Sequence, residues 1–142
     1  MTEDPVDWNR YAEMARAVRD RLAREALPSF SGPRPDSMLG TAGTVTALAA
    51  LDQDLPAYDS EKVHGYVIAR HRIERLLARL GAMPVAARAA LPCLEPGRAD
   101  VLIAGITICL AAMAAFRFHS MTVSDFGLRE GILIERLVGL PR

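Results

Sequence analysis

Residues Val101 to Phe116, VLIAGITICLAAMAAF, form an uncharged run of sixteen, bounded by Asp100 and Arg117. A helix this apolar all round must be enclosed, by lipid or by protein. A membrane span needs about 20 such residues, so the run reads as a helix buried in protein, from Arg98 to Phe116. The rest of the chain then has to cover it. With 142 residues there is enough chain for one domain, residues 1–142, or for a piece of a larger one. Hydrophobic residues make up 51%, chiefly Ala, Leu and Val, and aromatics only 6%. Such a core rests on helices drawn close over small side chains.

Apolar spacing places the covering elements. Tyr11, Met14, Ala15, Val18 and Leu22 share one face of a helix predicted from about Asp4 to Ala26, with Pro5 in its first turn. Residues 28–37, PSFSGPRPDS, carry three prolines and a glycine and form a loop. A short strand ending near Leu39 leads into a helix over Thr44 to Leu51. DQDLPAYDSE is polar and turn-rich, and KVHGYVIA offers a second short strand. Ile73, Leu76, Leu77 and Leu80 line a helix over Arg70 to Leu80, with Gly81 as its stop. Pro84 to Ala90 reads as a short helix, Pro92 to Gly97 as a turn, Met121 to Ser124 as a strand, and Leu128 to about Val138 as the last helix. The result is a helix-rich α/β chain with two or three strands. A mean sheet has about five or six, so the fold is either mainly helical or holds part of a larger sheet.

Chemistry concentrates at two glycine-marked bends. In MLGTAGTVTALAAL, Met38 to Leu51, a strand meets a helix N-terminus. Gly40 and Gly43 permit positive φ and close approach of a ligand, while Thr41, Thr44 and Thr46 offer hydroxyls beside the unpaired N–H groups of the first turn. Such a terminus is either an anion site, phosphate above all, or a helix capped by its own threonine. SDFGLREG, Ser124 to Gly131, repeats the pattern: Ser124 or Asp125 can cap, Gly127 turns, and Arg129 stands in the first helical turn. A cation there opposes the helix dipole, so Asp125, Glu130 or a bound anion must offset it. Arg98 occupies a similar place at the start of the apolar helix, where it either covers the loop or reaches toward the same anion.

Other chemistries find little footing. Seventeen Lys plus Arg balance seventeen Asp plus Glu, so no overall field draws in nucleic acid or an anionic membrane. The basic residues are nearly all arginine, whose planar fork suits phosphate or carboxylate. Arg70, Arg72, Arg75 and Arg79 form a stripe best read as a solvated face. Cys93 and Cys109 lack metal-type spacing and read as reduced, structural thiols. His64, His71 and His119 are scattered, which leaves no metal site, and nothing resembles a nucleophile elbow. MTEDPVDW is acidic and polar where a signal peptide needs an apolar stretch, so the cytoplasm is the expected location.

The order GTAGTVTALAALDQDL, YDSEKVHGYVI, LPCLEPGRADVLIAG, MTVSDFGLREGIL resembles the C-terminal half of the core module of the exopolyphosphatase and guanosine pentaphosphate phosphatase family. The similarity runs from about Met38 to Leu137. One departure is Cys93, at a turn position where the family usually has glycine; its role is left open. The resemblance implies an α/β fold of the actin-like ATPase superfamily, here its second ribonuclease-H-like lobe with an incomplete sheet. It implies hydrolysis of the terminal phosphoanhydride of inorganic polyphosphate or guanosine pentaphosphate, with magnesium. It further implies that Gly40, Thr41, Ala42, Gly43 and Thr44 form the second lobe's phosphate loop, joined by Ser124, with Arg98 and Arg129 neutralising the phosphates.

The same resemblance places two further glycine-rich loops and the catalytic glutamate in a first lobe upstream. No catalytic residue is then expected in this chain, which should be inactive alone, with magnesium ligands mainly in the absent lobe. The expected partners are a polyphosphate or guanosine pentaphosphate and the N-terminal lobe; a homodimer is left open, and neither nucleic acid nor membrane is expected. Two alternatives stand beside this. One is a helical interaction or oligomerisation module that binds no phosphate. The other is a sugar or acetate kinase of the same superfamily, against which SDFGLREG argues.

Overall fold

The computed structural model describes residues 4–30, 32–33, 35–95 and 97–138. Among the described residues, seven α-helices and three short strands follow one another as α1 (Trp8–Arg21), β1 (Leu39–Gly40), α2 (Gly43–Asp52), α3 (Ser60–Val63), β2 (Val67–Ala69), α4 (Arg70–Gly81), α5 (Val85–Ala89), α6 (Leu102–Ala115), β3 (Ser120–Val123) and α7 (Leu128–Val138). Most helices lie where apolar spacing puts them. Among the described residues, no helix is long and apolar enough to cross a membrane.

The first helix starts later than Pro5. The Asp7 carboxylate accepts the Asn9 N–H at 2.8 Å and sets the N-terminus at Trp8, while the Val6 N–H goes to the Gly81 carbonyl at 3.1 Å. Beyond Arg21 the helix widens into a π turn, Leu22–Ala26, and then tightens into a 3-10 turn, Leu27–Ser29, where Pro28 has no N–H to continue the ladder. Gly81 is the last residue of α4, so the helix stops within one residue of where the sequence puts its end. A Cβ there would come within 2.8 Å of the Trp8 ring, so glycine also gives α1's indole its seat.

Helix α6 begins at Leu102 rather than Arg98. Arg88, only 2% exposed, explains the delay by donating from Nε to the Ala99 carbonyl at 3.2 Å, which withdraws that oxygen from the helical ladder. Its Nη1 also bonds the Leu80 and Met83 carbonyls, at 2.9 and 3.0 Å, tying the end of α4 to the turn that bears Arg98. The apolar run is not enclosed all round, since Ile108 is 52% exposed. It is α2 that is enclosed: every residue from Val45 to Leu51 is buried. Leu48, Ile73, Leu80, Ile103, Ile106 and Met113 meet in the core with Ile68, Met121 and Val123 from the sheet.

The partial sheet has the order β1-β3-β2. β1 runs parallel to β3, with Leu39 opposite Thr122 and Gly40 opposite Val123, and β2 runs antiparallel to β3. The strand expected in KVHGYVIA is only its last part, because Asp59 caps the Glu61 N–H at 3.1 Å and the segment from Ser60 to Val63 winds into α3. The parallel pair is what positions the site. Two adjacent parallel strands end at the same edge, so the bends that follow them are side by side, where α/β sheets bind ligands.

Candidate functional site

The two bends are bonded to each other. The Ser124 N–H donates to the Gly40 carbonyl at 2.8 Å, and the Thr41 hydroxyl donates to the Phe126 carbonyl at 2.9 Å. Between them opens a cleft of about 560 Å³, with Thr41, Ala42, Gly43 and Arg98 on one side and Gly127, Arg129 and Glu130 on the other.

At the first bend the residue with positive φ is Ala42, at 72°, and not a glycine. Gly40 and Gly43 are needed for close packing. A Cβ on Gly40 would lie 2.4 Å from the Met121 sulfur, and one on Gly43 would lie 2.0 Å from Arg98 Nη1. The Arg98 guanidinium therefore rests on the first residue of α2. Ala42 supplies no side-chain cap to that helix. Nor do the threonines: Thr41 bonds across to Phe126, Thr44 packs against Gly105 of α6, and the Thr46 hydroxyl leans back toward the Ala42 and Gly43 carbonyls at 3.5 and 3.4 Å. Between the two readings of this terminus, the self-capped one fails.

At the second bend Glu130 reaches back over the start of α7, its carboxylate accepting the Gly127 N–H at 2.7 Å as in one half of a capping box; glycine has no side chain to supply the other half. That hydrogen bond, first among its causes, holds the Glu130 carboxyl below its ordinary range. Arg129, 93% exposed, reaches Glu130 only at 4.0 Å. Asp125 is gripped by the hydroxyls of Ser60 and Tyr58, which lower its pKa. Burial, aided by the bond to Asp125, pushes the Tyr58 hydroxyl up to about 12. The Asp125 N–H donates to His64 Nδ1 at 3.3 Å, and the His64 ring lies 4.6 Å from that of Phe126. Glu95 completes the lining and pairs with Arg98.

Of the residues singled out by sequence, Thr41, Ala42, Gly43, Arg98 and Arg129 share the cleft. Gly40, Thr44 and Ser124 support it from behind; Ser124 is buried in a turn in which its oxygen accepts the Phe126 N–H at 3.2 Å. Tyr58, Ser60 and Glu95 were missed as site residues. The Glu95 to Arg98 spacing of three was a readable sign of an ion pair, whereas nothing local marks Tyr58 or Ser60 as partners of a residue more than sixty positions away. The three carboxylates that line the cleft, Glu95, Asp125 and Glu130, each already hold a hydrogen-bond donor. Among the described residues, no group of three or more His, Cys, Asp and Glu side chains is gathered to hold a metal. The arrangement suits binding: an uncapped helix start and two guanidiniums face one polyanion-sized cleft.

Comparison with known proteins places the chain by sequence and by fold. Exopolyphosphatase 2 of Mycobacterium tuberculosis is 31% identical over 135 residues, which is 92% of this chain and 42% of that protein. Exopolyphosphatase 1 of Mycobacterium bovis is 25% identical over 137 residues, 96% of this chain and 40% of that protein. The crystal structure of the Aquifex aeolicus Ppx/GppA family member matches with a TM-score of 0.87 at 29% identity, over 98% of this chain and 44% of that one. An exopolyphosphatase from Cytophaga hutchinsonii shares the fold, with a TM-score of 0.81 at 24% identity, over 99% of this chain and 45% of that one. The chain thus spans less than half the length of these relatives and matches their C-terminal part. Its helix-rich α/β architecture with a small partial sheet is that of Ppx/GppA structures, which have the actin-like ATPase fold. With the family model matching residues 1–139, the chain belongs to the Ppx/GppA phosphatase family.

Proposed function

We propose that this chain is the phosphate-binding lobe of a phosphatase that removes the terminal phosphate of inorganic polyphosphate or guanosine pentaphosphate. The observation that carries the proposal is the meeting of the two bends, with the Arg98 guanidinium lying on the uncapped start of α2 and Arg129 across the same cleft. Relatives named exopolyphosphatase support the substrate class. Water adds to the terminal phosphorus, the phosphoanhydride bond breaks, and the shortened chain leaves with the charge that Arg98 and Arg129 neutralise. In this proposal the catalytic glutamate and two further glycine-rich loops belong to an N-terminal lobe, so this chain alone binds the polyanion and releases no phosphate. Magnesium is expected to travel with the phosphates; among the described residues no group of three or more His, Cys, Asp and Glu side chains gathers to hold it.

Titration of the chain with polyphosphate should show binding that weakens as salt rises. Arg98→Ala and Arg129→Ala should each weaken it by about tenfold, the scale of one lost charge-assisted hydrogen bond. Joined to the N-terminal half of a relative, the chain should release phosphate, and both substitutions should slow that release. Unchanged binding and turnover in both variants would remove the two arginines from the site.

A further inference from the structure

Arg98 already has an anion. The Glu95 carboxylate takes its Nε–H, and both side chains line the cleft, Arg98 41% and Glu95 67% exposed. Because the guanidinium lies against Gly43, this pairing brings Glu95's charge to the rim of the same helix start. The neighbouring acids are occupied otherwise: Asp125 by the hydroxyls of Tyr58 and Ser60, Glu130 by the Gly127 N–H. A carboxylate oxygen on the Arg98 Nε–H takes a donor that a phosphate oxygen would otherwise accept.

We infer that Glu95 is an internal counter-anion that competes with phosphate for Arg98 and so sets which phosphate compounds the cleft retains. This rests on the phosphate-binding proposal above. Orthophosphate has to displace Glu95 with a single group. A polyphosphate displaces it while its other phosphates reach Arg129 and the amide groups of α2, and an exposed pair is weak enough to open for such a ligand. Glu95 therefore favours a long chain over the single phosphate that hydrolysis releases.

Calorimetric titration of the chain with polyphosphate and with orthophosphate at fixed low salt tests this in the wild type, Glu95→Gln, Arg98→Ala and the double variant. Glu95→Gln should tighten polyphosphate binding by about twofold to fivefold, the range that an exposed pair can withhold. Orthophosphate should gain at least as much, narrowing the preference for the chain. Both gains should vanish in the Arg98→Ala background, since only a coupled pair behaves so. Unchanged or weaker binding by Glu95→Gln would overturn the inference, as would an equal gain without Arg98, which would mean general repulsion. In either case a loss in Arg98→Ala would leave the phosphate proposal standing. Absence of polyphosphate binding by all four proteins would sink both.

Discussion

Ala42 and Gly43 show how far a single position can mislead. Ala42 holds φ 72° and ψ 168°, a region almost reserved for glycine, at a cost of about 1–3 kcal/mol. Glycine relieves that strain but loosens the unfolded chain, so Ala42→Gly should raise stability by about 1 kcal/mol in urea unfolding. A fall in stability would mean that the alanine methyl packs usefully. Gly43→Ala is the companion test. Its Cβ would fall 2.0 Å from Arg98 Nη1, the tip of a flexible side chain that can swing away. The fold should therefore survive with its thermal midpoint nearly unchanged, while polyphosphate affinity drops as far as in Arg98→Ala. Sequence marks both glycines of this bend, yet glycine serves positive φ and close approach alike. Only the neighbours, Met121 and Arg98, distinguish the two uses.

At the scale of elements, the helices with a clear apolar stripe were legible. α4 carries Ile73, Leu76, Leu77 and Leu80 on its buried side, as its spacing requires. What periodicity does not reveal is which apolar helix lies at the centre, because α2 and α6 both read as apolar all round. The two helices meet at a close contact, Thr44 of α2 against Gly105 of α6. A Cβ on Gly105 would meet Thr44 Oγ1 at 2.4 Å and Cγ2 at 2.8 Å, and neither helix can yield without disturbing its packed neighbours. Gly105→Ala should then cost about 1–3 kcal/mol in urea unfolding, as overpacking does. The start of α6 was illegible for a similar reason. Arg88 and Ala99 are eleven residues apart, and their hydrogen bond leaves no trace in the local pattern.

For the whole molecule, the decisive feature is that β1 and β3 run parallel and adjacent, which brings two bends together from residues 40–43 and 124–127. A third segment then locks the second bend, as Tyr58 from the loop before α3 and Ser60 from the first position of α3 reach Asp125. That lock should be visible in the pH dependence of stability. Asp125 titrates below its ordinary 3.8 in the folded chain, held there by Ser60 and then Tyr58. Its contribution is complete above that value and is lost as pH falls through the lowered one. Tyr58 works in the opposite direction. Burial first, and Asp125 second, raise its hydroxyl from 10.0 to about 12, so its contribution is complete below 10.0 and fades as pH climbs toward about 12. Tyr66, raised by burial and its bond to Asp52, adds to the same alkaline limb. Thermal midpoints measured from acid to alkali should form a plateau with both flanks falling. Tyr58→Phe should flatten part of the alkaline flank and, by taking one donor from Asp125 and so bringing its folded pKa back toward the ordinary value, make the acid flank shallower as well. Flattening of both flanks in one variant is the mark of the shared hydrogen bond. If Tyr58→Phe lowers the plateau and leaves both flanks in place, the tyrosine only fills space and the second bend is held by Ser60 and His64.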